Sequence, residues 1–448
     1  MRELYDLVVV GAGPAGLMAA KTAAEAGLKV ALIERKENIA EIRRACSMMI
    51  VSLSGRYLKE RVTVNLTNQR LCFPYYGFSV NYPGPYKNFY AWQICSYRGN
   101  KIQIGGYDEN LRKGDAGRAS AIYNKSILLD SLLQECLSLK VDVFNPYNVI
   151  GVIKEGKEVK VRASEGKTFK GTFVIAADGR SSRIARCLGL NYERKFFGTA
   201  ITMGYEMIGT EIPEEFSLFQ IFLNEQPDMR AWITPRTTEG DHFVMVTSVN
   251  HGADFEGAFE RFTKKSIFSP WFRKAEKRRK LSAVGNMLSH IIKPYKDQVV
   301  LVGDTIWCQE AEMTGAIISG WKAANAVALA LIEGKISEEG VADYLAWWKD
   351  IVLKEYDYQD MIRNAVLPRI LTSDELDFLL SLFKKPLPSV FDPYETPKVV
   401  GKAMAEVMPI IARERPVMME KLKKMGNIPL EKVFNGCIRA GFPAMSTV

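Results

Sequence analysis

The most constraining feature of this chain is a glycine-punctuated turn inside its first forty residues. Leu7-Val8-Val9-Val10 is a short β-branched apolar run, of the kind buried on both faces of a parallel sheet. Gly11-Ala12-Gly13-Pro14-Ala15-Gly16 follows at once, and the Ala-rich stretch Leu17 to Ala26 predicts a helix closed by Gly27. Lys29-Val30-Ala31-Leu32-Ile33-Glu34 then supplies a second strand. Strand, GxGxxG, helix, strand and terminal acid, in that order, make a βαβ unit suited to a dinucleotide. Gly11 allows the tight turn, Gly13 lets the backbone approach a diphosphate, and Gly16 permits close helix–strand packing. Pro14 and Ala15 open the helix, whose free N–H groups and dipole favour negative charge. Glu34 ends the second strand, where a carboxylate accepts both ribose hydroxyls of an adenosine. Such an acid argues against a 2′-phosphate, so the site calls for FAD or NAD rather than NADP.

Composition narrows the class further. The chain has 448 residues, 60 Lys plus Arg against 51 Asp plus Glu, and 47% hydrophobic residues. That is ordinary for a packed protein, and the length predicts two or three structural units. No stretch approaches the ~20 uninterrupted apolar residues of a membrane span, so none is expected. Met1-Arg2-Glu3-Leu4-Tyr5-Asp6 runs straight into a strand, which points to no signal peptide and a cytoplasmic protein. The seven cysteines are scattered without a CxxC pair, and the only histidines are His242, His251 and His290. Neither a zinc site nor a disulfide framework is therefore expected, and no metal. A net charge of +9 favours anionic partners, whether a phosphorylated cofactor, an acidic lipid surface or nucleic acid.

Farther along, a basic cluster (Arg35, Lys36, Arg43, Arg44) precedes Cys46. Residues 70 to 107 are crowded with aromatics and turn formers, which read as short strands and hairpins walling either a ligand or a small core. Ile127 to Leu139 predicts an amphipathic helix after Tyr123-Asn124-Lys125, and Val141 to Val161 predicts alternating strands. Gly171 to Ala177 is another buried strand, ending in Asp178-Gly179 ahead of a short helix from Arg183 to Leu188. Residues 191 to 290 alternate as strands, with a basic helix expected near Phe259 to Lys277. Asp297 to Val302 is a strand ending in Gly303-Asp304, followed by a loop and a long Ala-rich helix from Gly315 to about Glu333. From Ser337 the pattern is helical and ends in a loosely structured tail.

The three separated motifs resemble the FAD-dependent oxidoreductases of the aromatic-hydroxylase superfamily. That resemblance implies an α/β fold: a Rossmann-type FAD-binding domain, an antiparallel β-sheet substrate domain and a helical C-terminal region. The corresponding division is 1–70, 108–190 and 291–335 for FAD, 71–107 and 191–290 for substrate, and 336–448 for the helices. It also implies that Asp304, after Gly303, holds the flavin ribityl or diphosphate region. The helix behind it, from Gly315 and Ala316, would aim its N-terminus at the ring carbonyl. Asp178 and Gly179 form the middle cofactor segment. Lys125 stands where the superfamily places an arginine on the phosphates; it keeps the charge and loses bidentate geometry. Arg35, Arg43, Arg44 and Ala45 are further cofactor candidates.

Within the superfamily the chain is most similar to the geranylgeranyl reductase branch. That branch carries a Cys soon after the βαβ unit, usually followed by Gly; here it is Cys46, followed by Ser47. Its cavity pattern Pro-x-x-Tyr-x-Trp-x-Phe-Pro is matched by Pro227 to Pro235, with Trp232 kept but Arg230 and Thr234 replacing the two other aromatics. The loop after Asp304 is shorter than in the family and carries Trp307, Cys308, Glu310 and Glu312. The resemblance implies hydride transfer from flavin N5 to, or from, a carbon–carbon double bond of a prenyl lipid or other unsaturated substrate. Cys46 is the candidate acid or pocket-shaping group, with Arg230, Trp232, Trp307 and Cys308 against the substrate. A long alkyl chain gains about 0.8 kcal/mol per buried CH₂, and two lost aromatics weaken that purpose, whereas Arg230 attracts a carboxylate or phosphate. A reduced donor, NAD(P)H or a ferredoxin-like protein, is implied, and no nucleic acid. Two other readings stand beside this one. One is a flavin monooxygenase acting on a small aromatic. The other is an electron-transfer flavoprotein docked at the inner face of a membrane through the amphipathic stretches Val366 to Phe383 and Val399 to Ile411. A non-catalytic FAD-binding role comes last.

Overall fold

The computed structural model describes residues 4–433, apart from 52, 54, 225–228, 364, 426–428, 431 and 432. Pro227, Asp228, Cys437 and most of the expected tail lie outside the described residues. The βαβ unit forms as the alternation demands: strand β1 (Tyr5–Val10), helix α1 (Pro14–Glu25) and strand β2 (Val30–Ile33). Strands β1 and β2 pair in parallel, and β1 pairs on its other side with the strand Thr168–Ala176. Asp142–Phe144 and Val299–Leu301 extend the same parallel ladder, and the hairpin Val149–Glu155/Glu158–Ala163 closes one edge. Leu7 to Val10, Val30–Ile33 and Val299–Leu301 are apolar and buried at every position, as the central strands of a parallel sheet are.

Two helices meet over this sheet. Helix α1 lies against the late helix, which runs Glu312–Ile332 and so begins three residues before its expected start at Gly315. The contact is made possible by small residues, since a Cβ at Gly320 would stand 2.2 Å from the Ala15 carbonyl oxygen. By length and composition the late helix is apolar enough to cross a membrane, but 67% of its most apolar stretch is buried inside this fold.

A seven-stranded sheet forms the second layer, in the order 276–288, 196–208, 242–248, 230–235, 217–222, 91–95, 101–104. Its far face packs under the helix Phe255–Lys265 through Phe259, Phe262, Ile233 and Val246. One element departs from expectation. The basic run from Glu276 to Leu288 is a thirteen-residue edge strand, and the helix before it stops at Lys265. Charged side chains suit an exposed sheet edge, and Lys277, Arg279 and Lys280 pair with Glu260, Glu206 and Glu256. The boundary drawn at residue 71 cuts a hairpin, because Arg70–Phe73 pairs with Phe78–Asn81 and Thr63–Asn65 in a small separate sheet. C-terminal helices then fold back. Of the two amphipathic stretches, Val366 to Phe383 divides into the helices Leu367–Ile370 and Ser373–Ser381, and Val399 to Ile411 lies within Glu395–Glu414. They pack on Ile102, Ile104 and Phe222 through Leu376, Leu379 and Ile411.

Backbone contact at Gly320 sets a stability test. Gly320→Val should destabilise the protein by about 3 kcal/mol, because the clash is with main chain that cannot step aside. Gly401→Ala, on an exposed helical position with nothing within 4 Å of the new methyl, should be neutral or stabilising by up to about 1 kcal/mol. Denaturant midpoints of the two variants check both signs.

Candidate functional site

The opening turn builds the first half of the site. At Gly11 the backbone has φ +98°, and a Cβ there would stand 2.3 Å from the Ala177 carbonyl oxygen. At Gly16 it would stand 1.8 Å from the Gly11 oxygen, so both positions admit only glycine. Gly13 differs: a Cβ added there meets nothing within 4 Å, so the α1 N-terminus faces open ground. Helix α1 begins there with no side-chain cap and no acid in its first turn, leaving its N–H groups for an anion. Glu34 is buried with its carboxylate squared off by backbone: Oε2 accepts the Ala12 N–H and Oε1 the Lys36 N–H, both at 2.8 Å. Each oxygen keeps a lone pair for a ribose hydroxyl.

Cations gather around this turn. The Lys36 ammonium has its pKa lowered, chiefly by burial, with Lys125 and Arg43 nearby. Lys125 starts the helix Lys125–Ser138, capped by the Asn124 side chain, and its Nζ lies 3.9 Å from Cys46 Sγ. Arg35 and Arg44 are exposed, and Arg43 pairs with Glu41 at 2.6 Å.

The second half is the loop between Gly303 and the late helix. Gly303 has φ +62° and lies against Ala15, which brings the loop beside the α1 N-terminus. Asp304 Oδ1 accepts the Ala311 N–H at 2.9 Å and thereby fastens both ends of the loop. Gly179 joins from the middle motif, its N–H donating to Thr305 Oγ1 at 3.1 Å. Asp178 has a structural role. Its carboxylate accepts from Ser182 and from the Arg183 and Ile184 N–H groups, capping the short helix, and burial raises its pKa. The late helix begins without a side-chain cap. Its first turn is tied to the Cys46 segment by Thr314, which donates to the Val51 carbonyl at 2.8 Å, and Gly315 and Ala316 sit buried behind it.

Trp307 and Cys308 are placed elsewhere than expected. Both are fully buried. Trp307 is wedged against Trp348, with ring centroids 4.8 Å apart, and Cys308 packs with Phe197 and Met287. Burial pushes the Cys308 thiol up to about 12, so it is an inert hydrophobe. The reason is long-range: His290 Nδ1 accepts the Cys308 N–H at 2.9 Å, and Arg194 donates to the Thr305 and Trp307 carbonyls, pulling the loop backward.

The sheet supplies the remaining wall. Trp232 lies on the face opposite the Ile233 core, with its ring 6.2 Å from Trp92, which in turn meets Phe391 at 6.0 Å. Arg230, two residues earlier on the same strand and face, holds its guanidinium 5.6 Å from the centre of the Phe222 ring. One residue of this wall was not expected. Arg236, just past Pro235, is largely buried and donates to the Cys46 and Ser47 carbonyls at 3.1 and 3.2 Å. Burial pulls its pKa down to about 10. It clamps the Cys46 segment to the sheet, and Ala45 N–H adds a bond to the Ser282 carbonyl at 3.1 Å.

A family model described as "FAD binding domain" matches residues 5–306, a span that holds the opening turn, the Asp178-Gly179 segment and Gly303-Asp304. The digeranylgeranylglycerophospholipid reductase of Methanosarcina acetivorans is 26% identical over 86% of this chain and 90% of its own length. The enzyme of that name from Methanocaldococcus jannaschii is 27% identical over 85% and 91%. Among solved structures, a geranylgeranyl bacteriochlorophyll reductase-like protein from Thermoplasma acidophilum superposes with a TM-score of 0.67 at 19% identity, covering 94% of this chain and 99% of that one. A myxobacterial chondrochloren halogenase superposes at 0.59 and 17% identity, over 99% of both chains.

The open ground at Gly13, the uncapped α1 and the buried Glu34 carboxylate fit the diphosphate and ribose of FAD. Gly13→Val should cost no more than about 1 kcal/mol of stability, an ordinary N-cap penalty. It should weaken FAD binding by about tenfold or more, measured by fluorescence titration of the cofactor. By motif order, by geometry and by a match spanning residues 5–306, the chain belongs to the FAD binding domain family, and its cofactor is FAD.

Proposed function

We propose that the protein is an FAD-dependent oxidoreductase that saturates a carbon–carbon double bond of a prenyl lipid. The observation that carries this reading is the likeness to digeranylgeranylglycerophospholipid reductases along almost the whole of both chains. The cleft is chemically suited to that reaction. Bound FAD supplies a hydride to one alkene carbon when reduced. Gly11, Gly13 and Gly16 with Lys125 would hold its diphosphate, Glu34 its ribose and Asp304 the chain leading to the ring. Trp92, Trp232 and Phe391 offer an apolar wall to an isoprenoid chain, and each CH₂ laid on such a wall gains about 0.8 kcal/mol when fully buried. Arg230, at the end of that wall, would take an anionic head group. Arg236 positions Cys46, which would border the reacting carbons. The electron donor is a reduced nicotinamide or a ferredoxin-like protein.

The test is direct. Protein loaded with FAD and reduced by dithionite should add two hydrogens per double bond to a digeranylgeranyl glycerophospholipid, read by mass spectrometry. Trp232→Ala should raise KM for that lipid about tenfold, equivalent to about 1.4 kcal/mol, with a smaller change in kcat. Consumption of NADPH and oxygen with hydroxylation of an aromatic acid, and no lipid reduction, would overturn the reading in favour of a monooxygenase.

A further inference from the structure

Glu312, half-buried in the cleft, is a carboxyl that accepts no hydrogen bond from any described residue. It opens the late helix with φ +58°, a left-handed backbone that an L side chain adopts only at a cost, and Gln309 three residues before it has φ +53°. Asp304 and Asp178 have their carboxylates bonded to backbone N–H groups, whereas Glu312 makes no hydrogen bond to any described residue. Its surroundings do not favour charge. From its own loop it faces Glu310 and Asp304, and from the opposite segment Cys46. Three buried phenols, Tyr57, Tyr123 and Tyr394, stand around it. Arg180 is a cation in reach, but its guanidinium pairs with Glu310 at 3.5 Å. Burial first, and the Glu310 carboxylate next, raise the Glu312 pKa well above the ordinary carboxylate range.

We propose that Glu312 is the general acid of the reduction. This rests on the reductase reading above and deepens it. One alkene carbon takes the hydride, with both electrons coming from the reduced flavin. The Glu312 Oε–H bond breaks, a C–H bond forms at the other carbon, and the π bond is lost. Glu312 is left as a carboxylate and recovers its proton from solvent. A carboxyl whose neutral form is favoured by burial and by a neighbouring acid is a ready proton source of the kind general acids require. Cys46 is then a neighbour that shapes the site, and the acid expected at that position moves to Glu312.

Two measurements on the FAD-loaded protein decide the matter. Glu312→Gln should keep the flavin spectrum and lose at least about 100-fold in kcat for lipid reduction. Wild-type kcat should fall as pH rises through the raised Glu312 pKa. The second readout is melting temperature. A group whose folded pKa is raised binds its proton more tightly folded than unfolded. Its contribution is full below the unfolded carboxyl pKa and is lost as pH rises toward the folded one. Relative to wild type, Glu312→Gln should therefore melt increasingly higher as pH rises from the unfolded carboxyl pKa toward the folded one. A melting difference that does not change with pH, or Glu312→Gln turning over within twofold of wild type, overturns the donor role. Collapse of Cys46→Ala with an active Glu312→Gln would give the acid to Cys46. A wild type that reduces no prenyl lipid removes the reductase reading itself, whereas an active wild type beside an active Glu312→Gln removes only the donor.

Discussion

Main chain pressed against main chain at three glycines is the constraint from which the rest of this molecule follows. Gly11 abuts Ala177, Gly16 abuts Gly11, and Gly320 abuts Ala15. No side chain intervenes at any of these points, so strand β1, helix α1 and the late helix are locked at one separation. The α1 N-terminus consequently lies against the late helix at Gly320, two turns in from that helix's start, and beside the Gly303 turn. Each helix begins without a side-chain cap, which is tolerable where a ligand supplies the missing acceptors. A fold that leaves the α1 N-terminus bare, with no acid in its first turn, is arranged for an anionic cofactor, and the buried Glu34 marks where the ribose sits.

Catalytic geometry is delegated to contacts that cross between layers. The Cys46 segment is held by Arg236 from the sheet and by Thr314 from the late helix. The 303–311 loop is held from behind by Arg194 and His290. His290 is pushed down to about 4 by burial, which keeps it a neutral acceptor for the Cys308 N–H throughout the physiological range. The cleft is thus framed by buried cations and neutral acceptors, with its acids on one side. Burial first, and the neighbouring Glu310 next, account for the raised pKa of Glu312.

Much of this was legible in the sequence because it is local. The βαβ unit, the Glu34 acid, the Asp178-Gly179 turn and the Gly303-Asp304 turn are each specified within a few residues, and the FAD binding family model spans all of them. What was not legible depends on distant partners. The helix read from Phe259 to Lys277 runs too far because the strand that begins at Glu276 is decided by pairing with 196–208 and by acids on neighbouring elements. Trp307 and Cys308 read as cleft residues because their burial is imposed by Trp348 and Phe197, neither of which is local in sequence. Arg236 carried no signal at all, since its two acceptors lie 189 and 190 residues away. Glu312 was visible as an acid in a shortened loop; its strain and isolation were not.

The central claim, that the bare α1 N-terminus holds FAD, is tested most directly by the visible spectrum of the purified protein during anaerobic titration with dithionite. The predicted result is a yellow protein carrying one FAD per chain, bleached by two electrons and recoloured on exposure to an oxidant. A colourless preparation that also takes up no added FAD would contradict it.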